Sequence, residues 1–256
     1  MLKIFLAEAV IVAIYMTCWF AVAVKKGRND LADIAWGLGF ILVALSSLAL
    51  HGAVAPRAAL VTGLVVIWGT RLAVHIGLRN RGKPEDARYR KWREEWGEHV
   101  LLRSFLQIFL LQGFLLLIIS VPVILVNLSP PIPLNRLDVL GFLVWLTGFL
   151  FEAVGDFQLV LFKRNPAHKG KIITSGLWRY TRHPNYFGEV TLWWGIYLIA
   201  LSVPFGWLAV VGPITISFLI LKVSGIPMLE KKYEGNAEFQ EYKRRTSAFW
   251  PLPPRR

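Results

Sequence analysis

The sequence predicts an all-α integral membrane protein: seven transmembrane helices, with the N-terminus outside and the C-terminus cytoplasmic. Three observations lead there. Of 256 residues, 55% are apolar and only 18% charged, against roughly a quarter charged in a soluble domain, and the mean hydropathy is +0.50. Seven long apolar runs follow one another along the chain. The basic residues fall on alternate connections between those runs.

The runs are Ile4–Val24, Leu31–Leu50, Ala58–Leu78, Ser104–Asn127, Val139–Phe162, Phe187–Val203 and Phe205–Leu221. A helix needs about 20 apolar residues to cross the hydrocarbon core, and the first five meet that length. The last two form one apolar stretch broken only at Pro204. A single helix of that length would overshoot the bilayer, so two short spans with a turn at Val203–Pro204 are expected. Six spans with a re-entrant segment is the alternative. Of the 29 Lys and Arg residues, 25 lie in Lys25–Arg28, Arg79–Arg103, Lys163–Arg182 and the tail from Lys222. Positive charge is retained on the cytoplasmic side, which sets the orientation. The first run carries Glu8 and lacks a basic leader and a clear cleavage site, so it is expected to remain as a helix. Cys18, the single cysteine, excludes an intrachain disulfide. Five scattered histidines lack ligand spacing, so no metal is expected. The net charge of +13 is accounted for by membrane topology, and no nucleic-acid partner is expected.

Ionisable residues inside a bilayer are costly unless paired or hydrated, and so mark functional candidates. Here they are Glu8, Asp33, Arg71, Glu152, Asp156 and Glu189. Asp33, Trp36, Gly37 and Phe40 share a helical face. Arg71 with His75, Glu152 with Asp156, and Asn185 with Glu189 are each one turn apart. The bland reading is that Arg71 neutralises one carboxylate while the others pair with loop lysines. Together the acids suggest a polar cavity opening to the cytoplasm. The adjoining loops interleave basic, polar and aromatic residues. Asn80, Arg81, Lys83, Asp86 and Tyr89 lie in the first, and Lys163, Lys171, Tyr180, Arg182, His183, Asn185 and Tyr186 in or next to the second. Arginine grips phosphate bidentately and stacks on rings, so this pattern suits a nucleotide cofactor. Plain topological charge with lipid contact is the alternative. Neither a Rossmann fingerprint nor a P-loop is present.

The run from Phe151 to Leu198, with GLWRYTRHPNYFGE at its centre and Glu152 and Asp156 upstream, resembles the steroid 5-alpha-reductase family. It most resembles the bacterial branch, formerly a domain of unknown function. The likeness extends to Trp68–Tyr89, Asn29–Gly37 and Tyr242–Pro251. It implies one seven-helix membrane domain over 1–256, with a substrate half about 1–128 and a cofactor half about 129–256. It also implies NADPH-dependent reduction of the C=C bond of a 3-oxo-Δ4 steroid or similar lipophilic enone, in a bacterial inner membrane, with the cofactor site facing the cytoplasm. Carried over by position, the cofactor would meet Asn80, Arg81, Lys83, Asp156, Lys163, Tyr180, Asn185, Glu189 and Tyr233, with Asn185 and Glu189 nearest the nicotinamide. Where animal steroid reductases offer a second-helix glutamate and a third-helix tyrosine, this chain offers Asp33 with Trp36 and, near the tyrosine position, Arg71. Asp33 as a neutral donor, or Arg71 directly, would then stabilise the developing enolate. Trp36, Phe40 and Trp193 would enclose a flat substrate arriving from the lipid.

Isoprenylcysteine and phospholipid methyltransferases, which use S-adenosylmethionine, also resemble the chain. They share an Arg-His-Pro-x-Tyr followed shortly by Glu, here Arg182 to Tyr186 and Glu189. The basic first loop favours a phosphate-bearing cofactor over S-adenosylmethionine. A lipid-binding or transport protein is a third, weaker reading, since no inverted repeat of broken helices is visible.

Overall fold

The computed structural model describes residues 2–52 and 54–255. Nine helices are used below: α1 Leu2–Lys26, α2 Leu31–His51, α3 Pro56–Asn80, α4 Ala87–Ile119, α5 Val121–Asn127, α6 Arg136–Arg164, α7 Pro184–Ala200, α8 Gly206–Lys231 and α9 Ala237–Arg245. Six of them (α1, α2, α3, α4, α6 and α8) are long and apolar enough to cross a membrane. The protein is an all-α membrane protein.

Two of the apolar runs bear on the number of spans. The sixth apolar run folds as α7, of 17 residues, which rises only about 26 Å at 1.5 Å per residue. That is the short end of the roughly 17–25 residues of a span, and among the described residues the six helices named above are the ones with ample length and apolar character to cross a membrane. The fourth run, expected as one helix, is divided after Ile119. Pro122 lacks an N–H and its ring crowds the carbonyl four residues back, so α4 ends and α5 begins around Ser120. The break expected at Pro204 is present as a turn, with Phe205 in the left-handed region at φ 60°.

The chain forms two compact units. The first comprises Met1–Leu134 and Val203–Val211, the second Asn135–Ser202 and Gly212–Arg256. In the first, α2 and α3 approach until their backbones nearly touch: a Cβ on Gly37 would lie 2.9 Å from the Gly69 carbonyl oxygen. Small residues at such crossings substitute van der Waals contact for the hydrophobic force that lipid cannot provide. Phe40 packs edge-on between Trp36 and Trp68, with centroids at 5.1 and 5.3 Å. Nearer the other end, the buried Asn127 side-chain amide donates to the Ala44 carbonyl and to Ser47 Oγ, both at 2.9 Å, and accepts from Thr62 Oγ1 at 3.3 Å. Such a knot satisfies polar atoms that lipid would leave bare.

In the second unit α6 and α7 pack along a glycine seam. Gly141, Gly148 and Gly155 recur every seven residues on α6 and meet Gly195, Gly188 and Pro184 of α7. α6 starts with a capping box: Leu137 N–H donates to Asn135 Oδ1 at 2.8 Å, and Asn135 N–H donates to Asp138 Oδ2 at 2.6 Å.

Candidate functional site

The second unit carries the motif-bearing segment. Gly176, at φ +62°, opens a short turn through Arg179. Trp178 Nε1 donates to the Gly155 carbonyl at 3.1 Å and Leu177 N–H to Gln158 Oε1 at 3.0 Å, so the turn is fixed against α6. The C-terminal segment covers it from the other side. Arg182 N–H donates to Ser247 O at 2.9 Å, Leu252 N–H to Tyr180 O at 3.0 Å, and the Tyr242 hydroxyl to Trp178 O. Pro184 then sits at the first turn of α7, where a missing N–H costs nothing.

At the start of α7 three cationic or protonatable groups converge on Glu230. Arg182 Nη2 and Nε lie 2.8 Å from Glu230 Oε1, His183 Nε2 lies 3.0 Å from the same oxygen, and Lys243 Nζ lies 3.2 Å from Oε2. Arg182 Nη1 also donates to the carbonyls of Lys243 and Thr246. Burial pushes the His183 imidazole below its ordinary pKa, with the Glu230 hydrogen bond and charge opposing the shift. As a neutral ring it donates from Nε2 to the carboxylate. Tyr186 stacks on it at 5.4 Å. The same neighbourhood brings Asn185 and Asp156 together, with Nδ2 donating to Oδ1 at 3.2 Å. Glu189 follows one turn along α7, half-buried. Glu152 is buried beside Gly188, and Trp193 is fully buried farther along.

Other candidates in this unit are scattered. Lys163, Lys171 and Tyr180 are exposed, and Tyr233 stacks on Phe239 at 5.0 Å. Sequence reading missed Glu230, which lies 47 positions after His183 in a lysine-rich stretch with no local pattern to mark it.

A second polar cluster belongs to the first unit. Asp33 Oδ1 accepts from the buried Tyr89 hydroxyl at 2.6 Å, and Oδ2 faces Arg88 Nη2 at 3.5 Å. Where the sequence offers Arg71 as counter-ion, these contacts come from α4; Arg71 itself is half-buried on α3. Asp86 caps α4, accepting from Arg88 N–H at 2.9 Å and Arg88 Nε at 3.1 Å. Burial pushes the Asp86 carboxyl up, but Arg88 outweighs it and leaves the group below the usual carboxylate range. Asp30 is gripped by Arg28 through two 2.7 Å contacts and receives the Asp86 N–H at 3.2 Å and Asn80 Nδ2 at 3.5 Å. Arg81 and Lys83 are exposed.

Residues 19–246 match the family described as a protein of unknown function, DUF1295. The chain belongs to this family. A protein of Ustilaginoidea virens described as "Probable O-methyltransferase ustE" is 42% identical over 53 residues, which is 21% of this chain and 18% of that protein. The chain thus matches less than a fifth of that relative's length. A methyltransferase relative overturns the reductase reading. Oxidoreductase chemistry, NADPH as cofactor and a steroid or enone as the reduced substrate are withdrawn from this member of DUF1295.

Proposed function

We propose that the protein is an S-adenosylmethionine-dependent membrane methyltransferase acting on a lipophilic acceptor. The observation that carries this is the match to the O-methyltransferase, together with the Arg182-His183-Pro184-x-Tyr186 segment and Glu189 that the sequence shares with membrane methyltransferases. The chemistry of the second unit supports it. Arg182 and Lys243 are bound to Glu230, and the carboxylates Glu152, Asp156 and Glu189 lie on the two helices of the α6–α7 seam. Carboxylates with a stacked tyrosine suit a cationic sulfonium and ammonium and repel phosphate.

When bound, S-adenosylmethionine supplies an electrophilic methyl carbon: the acceptor's lone pair forms the new bond to carbon as the carbon–sulfur bond breaks. In this reading Asn185 and Asp156 orient the cofactor, Tyr186 lines it, and Glu189 takes the proton released from the acceptor. The acceptor's apolar chain lies in a groove of about 430 Å³ along α7, lined by Phe187, Val190, Thr191, Trp194, Leu221 and Trp250 among others. Titration of the purified protein tests the reading. S-adenosylmethionine binds the wild type, and Asp156→Asn weakens it roughly ten- to a hundredfold, the effect of losing a charged hydrogen bond of about 1.5–3 kcal/mol. Tight NADPH binding without S-adenosylmethionine binding would refute it.

The reading takes α7 as a seventh, short span, with the N-terminus outside and the cofactor half, about 129–256, opening to the cytoplasm. In a Cys18→Ser background, Asn135→Cys is expected to react with an impermeant thiol reagent on intact cells and Lys91→Cys to stay protected. The opposite pattern inverts the topology.

A further inference from the structure

The geometry points to a binding groove for one anionic phospholipid of the surrounding leaflet, on the first unit between the start of α2 and the end of α3. It goes beyond the methyltransferase reading and uses none of its residues. The groove has a volume of about 450 Å³, inside the roughly 300–1,000 Å³ of small-ligand sites. Leu31, Ile34, Val74 and Leu78 wall it. Val74 and Leu78 are 53% and 65% exposed, so the groove opens sideways from membrane helices, where an acyl chain is the available apolar occupant.

The charge at one end selects the headgroup. Arg28 and Arg81 both line the groove, one just before α2 and the other just after α3, where the apolar spans stop. Arg28 is bound to Asp30 and donates from Nη1 to the Lys83 carbonyl at 3.2 Å, which brings Lys83 alongside. Arg81 and Lys83 are exposed, and among the described residues neither forms an ion pair. The nearby carboxylates are already engaged: Asp30 is 1% exposed and held by Arg28, and Glu85 pairs with Arg93 at 3.3 Å and accepts the Asn29 N–H. The end of the groove therefore offers two uncommitted cations and no free acid. That favours a phosphate with net negative charge over a zwitterionic choline headgroup, whose ammonium would find no partner.

The test is a titration followed by native mass spectrometry, using phosphatidylglycerol and phosphatidylcholine with identical acyl chains. The wild type prefers phosphatidylglycerol at its first bound lipid. Removing both cations in R81A/K83A lowers the preference on the order of twenty-five-fold, about fivefold per basic residue at about 1 kcal/mol each. R90A/K91A removes two cations of α4 that do not line the groove, and leaves the preference unchanged. Gly77 lines the groove and an added Cβ meets nothing within 4 Å, so Gly77→Leu fills it while keeping every charge. That variant loses the high-affinity phosphatidylglycerol and still folds. An undiminished preference in R81A/K83A, an equal loss in R90A/K91A, or wild-type binding by Gly77→Leu would each overturn the assignment.

Discussion

Glu230→Ala loosens the whole C-terminal segment from the start of α7 and costs the protein about 3–5 kcal/mol, the usual effect of breaking a buried ion pair from one side. The size follows from what remains. Arg182 is 6% exposed and His183 2%, so a guanidinium would stay buried with only the Lys243 and Thr246 carbonyls facing it. Denaturation in detergent micelles measures the loss. Limited tryptic digestion locates it, because Lys231, Lys232 and Lys243 become cleavable before residues of the first unit do. Glu230→Gln separates charge from shape: it keeps the volume and one acceptor, and is expected to lose most of the same stability because the charge is what holds Arg182. Near-wild-type stability in both variants would remove Glu230 from the architecture.

His183 adds a pH dependence to the same cluster. Its folded pKa lies below the ordinary value because it is buried, whereas the unfolded ring titrates at about 6.5. Below that pH the unfolded chain binds the proton first, so folding free energy declines as pH falls through and below about 6.5. His183→Gln removes the titrating group and flattens that part of the stability profile; an unchanged slope would place the titration elsewhere.

Much of the architecture is legible in the chain because lipid enforces it. Apolar length and the placement of basic residues are read directly by the bilayer, and α1, α2, α3 and α6 fall within a few residues of the runs that announce them. The start of α4 is not announced. Ala87–Trp96 is charged on most of its surface, and its narrow aromatic stripe of Tyr89, Trp92 and Trp96 is no long apolar run, so it reads as loop; the Asp86 cap and the Tyr89 contact to Asp33 hold it helical. The site divides the same way. Asn185 with Asp156 and His183 with Tyr186 come together as their neighbouring runs suggest, since short segments and one packed helix pair suffice. Glu230 and the Arg88–Asp33 contact join positions 47 and 55 apart, and no local pattern records them. The chemistry is hard to read for a related reason. Arg-His-Pro-x-Tyr followed by Glu is common to the reductase and methyltransferase resemblances, so the choice between them rests on the cations of the first loop. Membrane topology demands those cations whatever the cofactor.

Gly148→Ala is expected to force α6 and α7 apart, although alanine is the better helix former. A Cβ at this position would lie 2.5 Å from both the Gly188 carbonyl oxygen and Leu192 N. Both are backbone atoms of α7, so no side chain can rotate away, and the helices themselves must separate. Overpacking of this kind costs about 1–3 kcal/mol and occasionally more, against a gain of about 0.5–1 kcal/mol for replacing a mid-helix glycine. The net sign is destabilising, and Gly148→Leu extends the loss. Gly63 provides the opposite case on α3: an added Cβ there meets nothing within 4 Å, so Gly63→Ala keeps only the gain and stabilises slightly. Unfolding midpoints for the two alanine variants should therefore move in opposite directions. The seam also sets where Asn185 stands relative to Asp156, because both flank the Gly155–Pro184 contact. Separating the helices lengthens that 3.2 Å hydrogen bond, and S-adenosylmethionine affinity is expected to fall in Gly148→Ala while remaining at the wild-type level in Gly63→Ala. Equal midpoints and equal affinities in the two variants would show that the close approach of α6 and α7 carries neither the stability nor the site.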